Sequence, residues 1–199
     1  MNFGRRAAAA ALGLMTPSIA WAQAAPTADS GDTAWILTAS ALVLMMTIPG
    51  LGLFYGGLVR ARNVLSVIMH SFVILCAISL LWVVGGYSLV FGPGSPYLGN
   101  LGQAMLANMA ELRQGLTISE TVFALFQMTF AIITPALVIG AFVERVRFGW
   151  VVAFSTLWTL LVYVPIARWV WGGGWLASDY GTLDFAGGIV VHTTAGVAA

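Results

Sequence analysis

Between Trp35 and Trp169 the chain alternates long apolar runs with short segments that hold its arginines. This alternation constrains the fold more than any other feature. A bilayer's hydrocarbon core is crossed by a helix of roughly 20 predominantly apolar residues, and only helices or closed barrels can satisfy their own backbone groups there. The runs predict spans at about Trp35 to Leu58, Val64 to Phe91, Thr121 to Phe142 and Gly149 to Trp169. A fifth run, Phe185 to Ala199, is too short to cross and reads as an incomplete helix, so the sequence resembles the front part of a longer chain. The fold class is therefore an all-α polytopic membrane protein. Composition agrees: 60% of residues are hydrophobic and 8% charged, against about a quarter charged in soluble domains.

The charges set direction. All eight basic residues are arginines, and the net charge of +1 offers no footprint for nucleic acid. Met1 to about Ala25 has the form of a secretory signal peptide: Arg5 and Arg6, an apolar core over Ala7 to Met15, and small-x-small cleavage sites around Ala20 to Ala24. Such a leader places the mature N-terminus outside the cytoplasm. Arg60, Arg62, Arg145 and Arg147 then flank loops on one side, Arg113 and Arg168 the other. The majority side is expected to be cytoplasmic, so both arguments give a periplasmic N-terminus in a bacterial inner membrane. Lone Cys76, in an apolar run, excludes a disulfide framework and a cysteine-rich metal site. Neither a cofactor nor a metal is expected.

Pro49-Gly50 interrupts the first span, and Gly50, Gly52, Gly56 and Gly57 offer a small-residue surface for close helix contact. Pro93 to Glu120 reads as a loop with a short surface helix around Gln103 to Leu112.

Ionisable side chains inside a bilayer are functional candidates by default, and the stretch from Trp171 to Ala199 concentrates them. Asp184 stands where a helix N-cap acceptor sits, or where a cation ligand could sit. His192, eight residues on, falls within the apolar run of the fifth helix, either as a packing histidine or on a polar pathway. His70 is a weaker candidate, only two turns from Arg62. Trp171, followed by three glycines, is either an interfacial belt residue or a cation–π wall. Phe126 and Phe130, at i and i+4, share a helix face as core packing or as an apolar constriction.

Together these segments resemble the N-terminal half of the ammonium transporter (Amt/Mep/Rh) family. The resemblance rests on PGLGLFYGGLVRARNVLS from Pro49, FQMTFAIITPALVIGAFVERVRF from Phe126, YVPIARWVWGGGWL from Tyr163 and DFAGGIVVH from Asp184. It implies the first five of eleven helices of an inverted-repeat fold, assembled as a homotrimer with one pore per subunit. It also implies that Phe126, Phe130 and Trp171 belong to an outer ammonium-recruitment site, with Phe130 contributing to a phenylalanine gate. Asp184 would shape that site, and His192 would be the first of twin pore histidines. The implied activity is transport, not enzymatic: NH4+ is recruited and deprotonated, NH3 is conducted, and the proton is relayed through histidines. A PII-type regulator is implied at the cytoplasmic loops. Arg168 departs from the motif, where the family often has histidine; it either opposes cation recruitment beside Trp171 or points into the outer headgroups. An ammonium sensor fused to a signalling output and an Rh-like small-gas channel are the alternatives.

Overall fold

The computed structural model describes residues 27–199, so the expected signal peptide lies outside the described residues. It contains four helical stretches long and apolar enough to cross a membrane. These are α1 (Ser30–Leu58), α2 (Ala61–Phe91), α3 (Glu120–Ile139) and a stretch, Phe148–Tyr180, which a turn at residues 171–174 divides into α4 (residues 148–170) and α5 (Trp175–Tyr180). A shorter apolar helix, α6 (Gly188–Ala198), follows. Among the described residues no strand forms; the isolated bridge pairs Gly94 with Gly99. The chain is an all-helical, multi-pass membrane protein.

Local chemistry fixes the ends of these helices. The Asp29 carboxylate accepts from Asp32 N at 2.8 Å, so α1 opens a turn before Trp35. Ile48 leaves helical geometry (φ −135°, ψ 113°) directly ahead of Pro49, because proline disfavours the α region for the residue before it. At the other end of the interface between α1 and α3, the Tyr55 hydroxyl donates to Leu137 O at 3.0 Å. The Tyr55 ring lies so close to Gly140 that a Cβ there would meet it at 2.5 Å. Regular helix ends at Ile139 and Phe142 falls in the following turn, short of the expected limit at Phe142.

That turn joins the two arginine-bearing loops. Glu144 Oε1 accepts from Asn63 Nδ2 at 2.6 Å and from Arg60 N at 2.9 Å. The Asn63 amide, then the Arg60 N–H, hold the Glu144 carboxyl below its ordinary range. Arg60, Arg62 and Arg145 therefore share one end of the bundle, around a cavity of about 520 Å³.

The opposite end is organised by a buried carboxylate. Ser119 caps α3 through Val122 N, leaving Glu120 to turn inward. Glu120 Oε1 accepts from Tyr87 OH (2.8 Å), Gln103 Nε2 (3.1 Å) and Arg113 Nη1 (3.0 Å), while Oε2 accepts from Ala110 N (2.6 Å). This explains why residues 103–112 do not form the expected surface helix. Only Ala104–Leu106 is helical, as a single 3₁₀ turn, and Met105, Leu106 and Asn108 have positive φ as the chain folds back to reach Glu120. Beneath this network, Trp82 donates to Ala124 O at 3.1 Å, and Trp82, Tyr87 and Phe91 form an aromatic core between α2 and α3.

Removing one partner of a buried ion pair strands the other. Glu120→Ala is expected to destabilise the folded protein by roughly 3 kcal/mol, and Tyr87→Phe, which removes one donor of four, by about 1 kcal/mol. Thermal unfolding in detergent checks both, and equal effects would contradict the central place of the carboxylate.

Candidate functional site

The end of α4 opposite the arginine loops is where the sequence candidates meet. Phe126 and Phe130 project from one face of α3, their ring centroids 5.0 Å apart at 84°. Edge-to-face contact is the favourable arrangement for aromatic quadrupoles. Phe130 makes a second such contact with Trp171, at 5.9 Å and 72°. Trp171 is the residue at which α4 stops, so the glycines after it release the chain while the indole stays on the bundle.

Asp184 is tied to this cluster from the other side. The Trp171 indole N–H donates to the Asp184 carbonyl at 2.8 Å. The Asp184 carboxylate accepts three backbone N–H groups: Gly188 on Oδ1 at 2.7 Å, and Ile189 and Val190 on Oδ2, both at 2.9 Å. Of its two sequence roles, this is the helix cap. The sequence places the helix start at Phe185, whereas α6 begins at Gly188. Gly187 takes a left-handed conformation (φ 80°) that turns the following N–H groups back onto the aspartate.

These residues border an open cavity of about 310 Å³ lined by Phe91, Phe123, Phe126, Gln127, Phe130, Trp171, Asp184 and Phe185. A second, smaller cavity of about 150 Å³ lies deeper and includes Phe130, Ile133, Leu137, Val191 and His192 in its wall. Phe130 belongs to both. Asp184 thus lines the outer cavity and His192, an exposed side chain in this structure, the inner one. His70 joins neither; it is buried between helices, with its ring 6.0 Å from Phe148.

Phe91, Phe123 and Gln127 are wall residues that the sequence did not single out. Behind the first two sits Arg113, whose guanidinium lies 4.7 Å from the Phe123 ring centroid and 5.4 Å from that of Phe91. Arg168 does not follow the second of its sequence expectations, an outward-pointing side chain. It is buried and lines a separate polar cavity with Arg113 and Glu120, and its guanidinium is hydrogen-bonded to backbone carbonyls instead of reaching the headgroups.

Losing a helix cap costs about 1–2 kcal/mol. Asp184→Ala is expected to lower stability by that amount and to speed amide hydrogen exchange at residues 188–190, with Asp184→Asn intermediate. Exchange at those amides matching the unsubstituted protein would remove the capping role.

Comparison with known proteins accords with this geometry. The family model described as Ammonium Transporter Family matches residues 34–199. A putative ammonium transporter of Methanothermobacter thermautotrophicus is 51% identical over 181 residues, which cover 86% of this chain and 42% of the relative. An ammonium transporter of Bacillus subtilis is 50% identical over 170 residues, covering 84% of this chain and 42% of that protein. The crystal structure of Candida albicans Mep2 superposes with a TM-score of 0.75 at 40% identity, over 85% of this chain and 38% of its own. The chain thus spans about two fifths of the length of the proteins it matches. With a match across nearly every described residue, this chain belongs to the ammonium transporter family.

Proposed function

We propose that this chain supplies the recruitment side and the first half of the pore of an ammonium transporter. The observation that carries the reading is the position of Phe130, one ring shared by an aromatic outer cavity and a small inner cavity with His192 in its wall. Ammonium is a small cation with no apolar surface, so a hydrophobic wall does not hold it. The faces of Phe126, Phe130 and Trp171 do, through cation–π attraction of about 0.5–2 kcal/mol per contact. Both Asp184 carboxylate oxygens are engaged by backbone N–H groups, which favours a positioning role for it over direct ligation.

Passing Phe130 requires loss of charge. A bare ion moving into an apolar passage carries a large desolvation penalty, whereas a neutral amine carries only that of a polar group. NH4+ accordingly gives up a proton to water at the outer cavity and NH3 moves on. The two ring nitrogens of an imidazole can accept a proton on one side and donate one on the other, which suits His192 to pass the proton on beyond the ring. The chemistry is transfer across a membrane and breaks no covalent bond other than N–H.

The same proposal includes a homotrimer in a bacterial inner membrane with the N-terminus periplasmic. The arginine loops, gathered at one end by Glu144, support that orientation through the excess of basic residues on the cytoplasmic side. A PII-type regulator would meet that same face.

In the natural polypeptide carrying this sequence, His192→Ala is expected to abolish methylammonium uptake while size-exclusion chromatography shows an unchanged assembly. Trp171→Leu is expected to raise apparent KM by about 2- to 30-fold, the range of one cation–π contact. Normal uptake in the first variant would sink the proton pathway, and an unchanged KM in the second would sink the recruitment site.

A further inference from the structure

Arg168 is an arginine within an apolar helix, 7% exposed, and no part of the proposed transport steps uses it. Its donors are aimed at one short segment of backbone. Nη1 donates to Val90 O at 3.0 Å and to Gly92 O at 2.8 Å; Nε and Nη2 both donate to Ser95 O, at 3.2 and 3.0 Å. The segment is where α2 ends, and carbonyls at a helix C-terminus have no intrahelical donors. A planar fork of five N–H groups is the side chain that can serve three of them at once.

The two acceptors of Nη1 flank Phe91, a wall of the outer cavity. Arg168 itself stands one helical turn before Trp171, the opposite wall, and its own carbonyl accepts from Gly174 N at 3.0 Å. The same joint is closed by contact: a Cβ on Gly172 would run into Val90 O. Trp169 Nε1 on Tyr97 O (3.0 Å) and Trp175 N on Pro96 O (3.3 Å) lengthen the seam beyond Ser95. One guanidinium therefore fixes the backbone on both sides of the aromatic cavity.

We infer that Arg168 is a positioning residue for cation recognition, which sets the separation of the Phe91 and Trp171 walls by clamping the end of α2 to the end of α4. The inference rests on the recruitment reading of the outer cavity. Its charge does not face the substrate; it is spent on carbonyl dipoles behind the wall. The attraction between a cation and a ring falls off once the ion lies more than about 6 Å from the centroid. A joint that lets the walls part weakens binding without touching the inner cavity.

The test is methylammonium uptake by the natural polypeptide in proteoliposomes, with Vmax normalised to inserted protein. Arg168→Lys keeps the charge and loses the fork. It is expected to raise apparent KM roughly tenfold while Vmax changes by less than about twofold. Gly172→Ala attacks the same joint from its other side and is expected to shift KM in the same direction, so the test survives if one of the two does not fold. A merely structural role would lower the amount of inserted protein and leave KM alone. An unchanged KM in both variants, alongside a raised KM in Trp171→Leu, overturns the positioning role and leaves the recruitment site standing. An unchanged KM in Trp171→Leu overturns both.

Discussion

Inside a bilayer no water is available to satisfy a backbone N–H or C=O, so each departure from regular helix must bring its own partners. Several polar side chains near the candidate site meet that requirement. Arg168 supplies donors where α2 ends, Asp184 supplies acceptors where α6 begins, and Glu120 accepts the Ala110 N–H where the intervening loop turns in. The Tyr55 hydroxyl does the same for Leu137 O, where Gly140 and its turn follow. These groups cannot be exchanged for apolar ones of similar size without leaving a backbone group unpaired. Irregular backbone is expensive in a membrane protein, and here it is concentrated at the outer cavity, where walls from four separate segments must converge.

Charge is distributed with the same economy. Arg113 and Glu120 neutralise each other, and Arg113 lies against the Phe91 and Phe123 rings. Arg168 is met by carbonyl dipoles, and Asp184 by N–H dipoles at a helix start. Neither arginine is among the residues that line the outer cavity, and both Asp184 oxygens are engaged. A cavity treated this way offers a cation mainly π faces, a weaker but less committed attraction than an ion pair. That suits a site from which the bound species has to leave again.

The helical, membrane-spanning fold was legible because the bilayer sets the length of an apolar run, and four such runs stand out with Arg168 as the one charge inside them. Phe126 with Phe130 was legible for a similar reason: helical spacing alone puts i and i+4 side by side. The capping role of Asp184 could be read from its place ahead of an apolar helix, but not its reach, since the left-handed turn at Gly187 lets it serve N–H groups four to six residues on. Phe91 was not legible as a cavity wall, because nothing local distinguishes it from the other aromatics of α2. The surroundings of Arg168 were not legible on the same ground. Its partners lie 73 to 78 residues earlier in the chain, and from sequence an arginine beside an outer tryptophan looks like a charge competing with the substrate.

Those surroundings bear on how the aromatic cavity works. If Arg168 faced the cavity, recruitment would depend on the balance between its repulsion and the attraction of the rings. Buried and held by carbonyls, it bears on the cavity, on the proposed reading, through geometry instead. Phe130 makes the geometry matter further in. The ring that forms the inner wall of the outer cavity is also the outer wall of the inner one, so its edge-to-face contacts with Phe126 and Trp171 hold the boundary between them. A shift of Trp171 relative to α3 would loosen the contact that keeps Phe130 in place. On the proposed reading, recognition of the cation and exclusion of its charge are set by the same few aromatic contacts, and those contacts depend on the backbone clamp behind them.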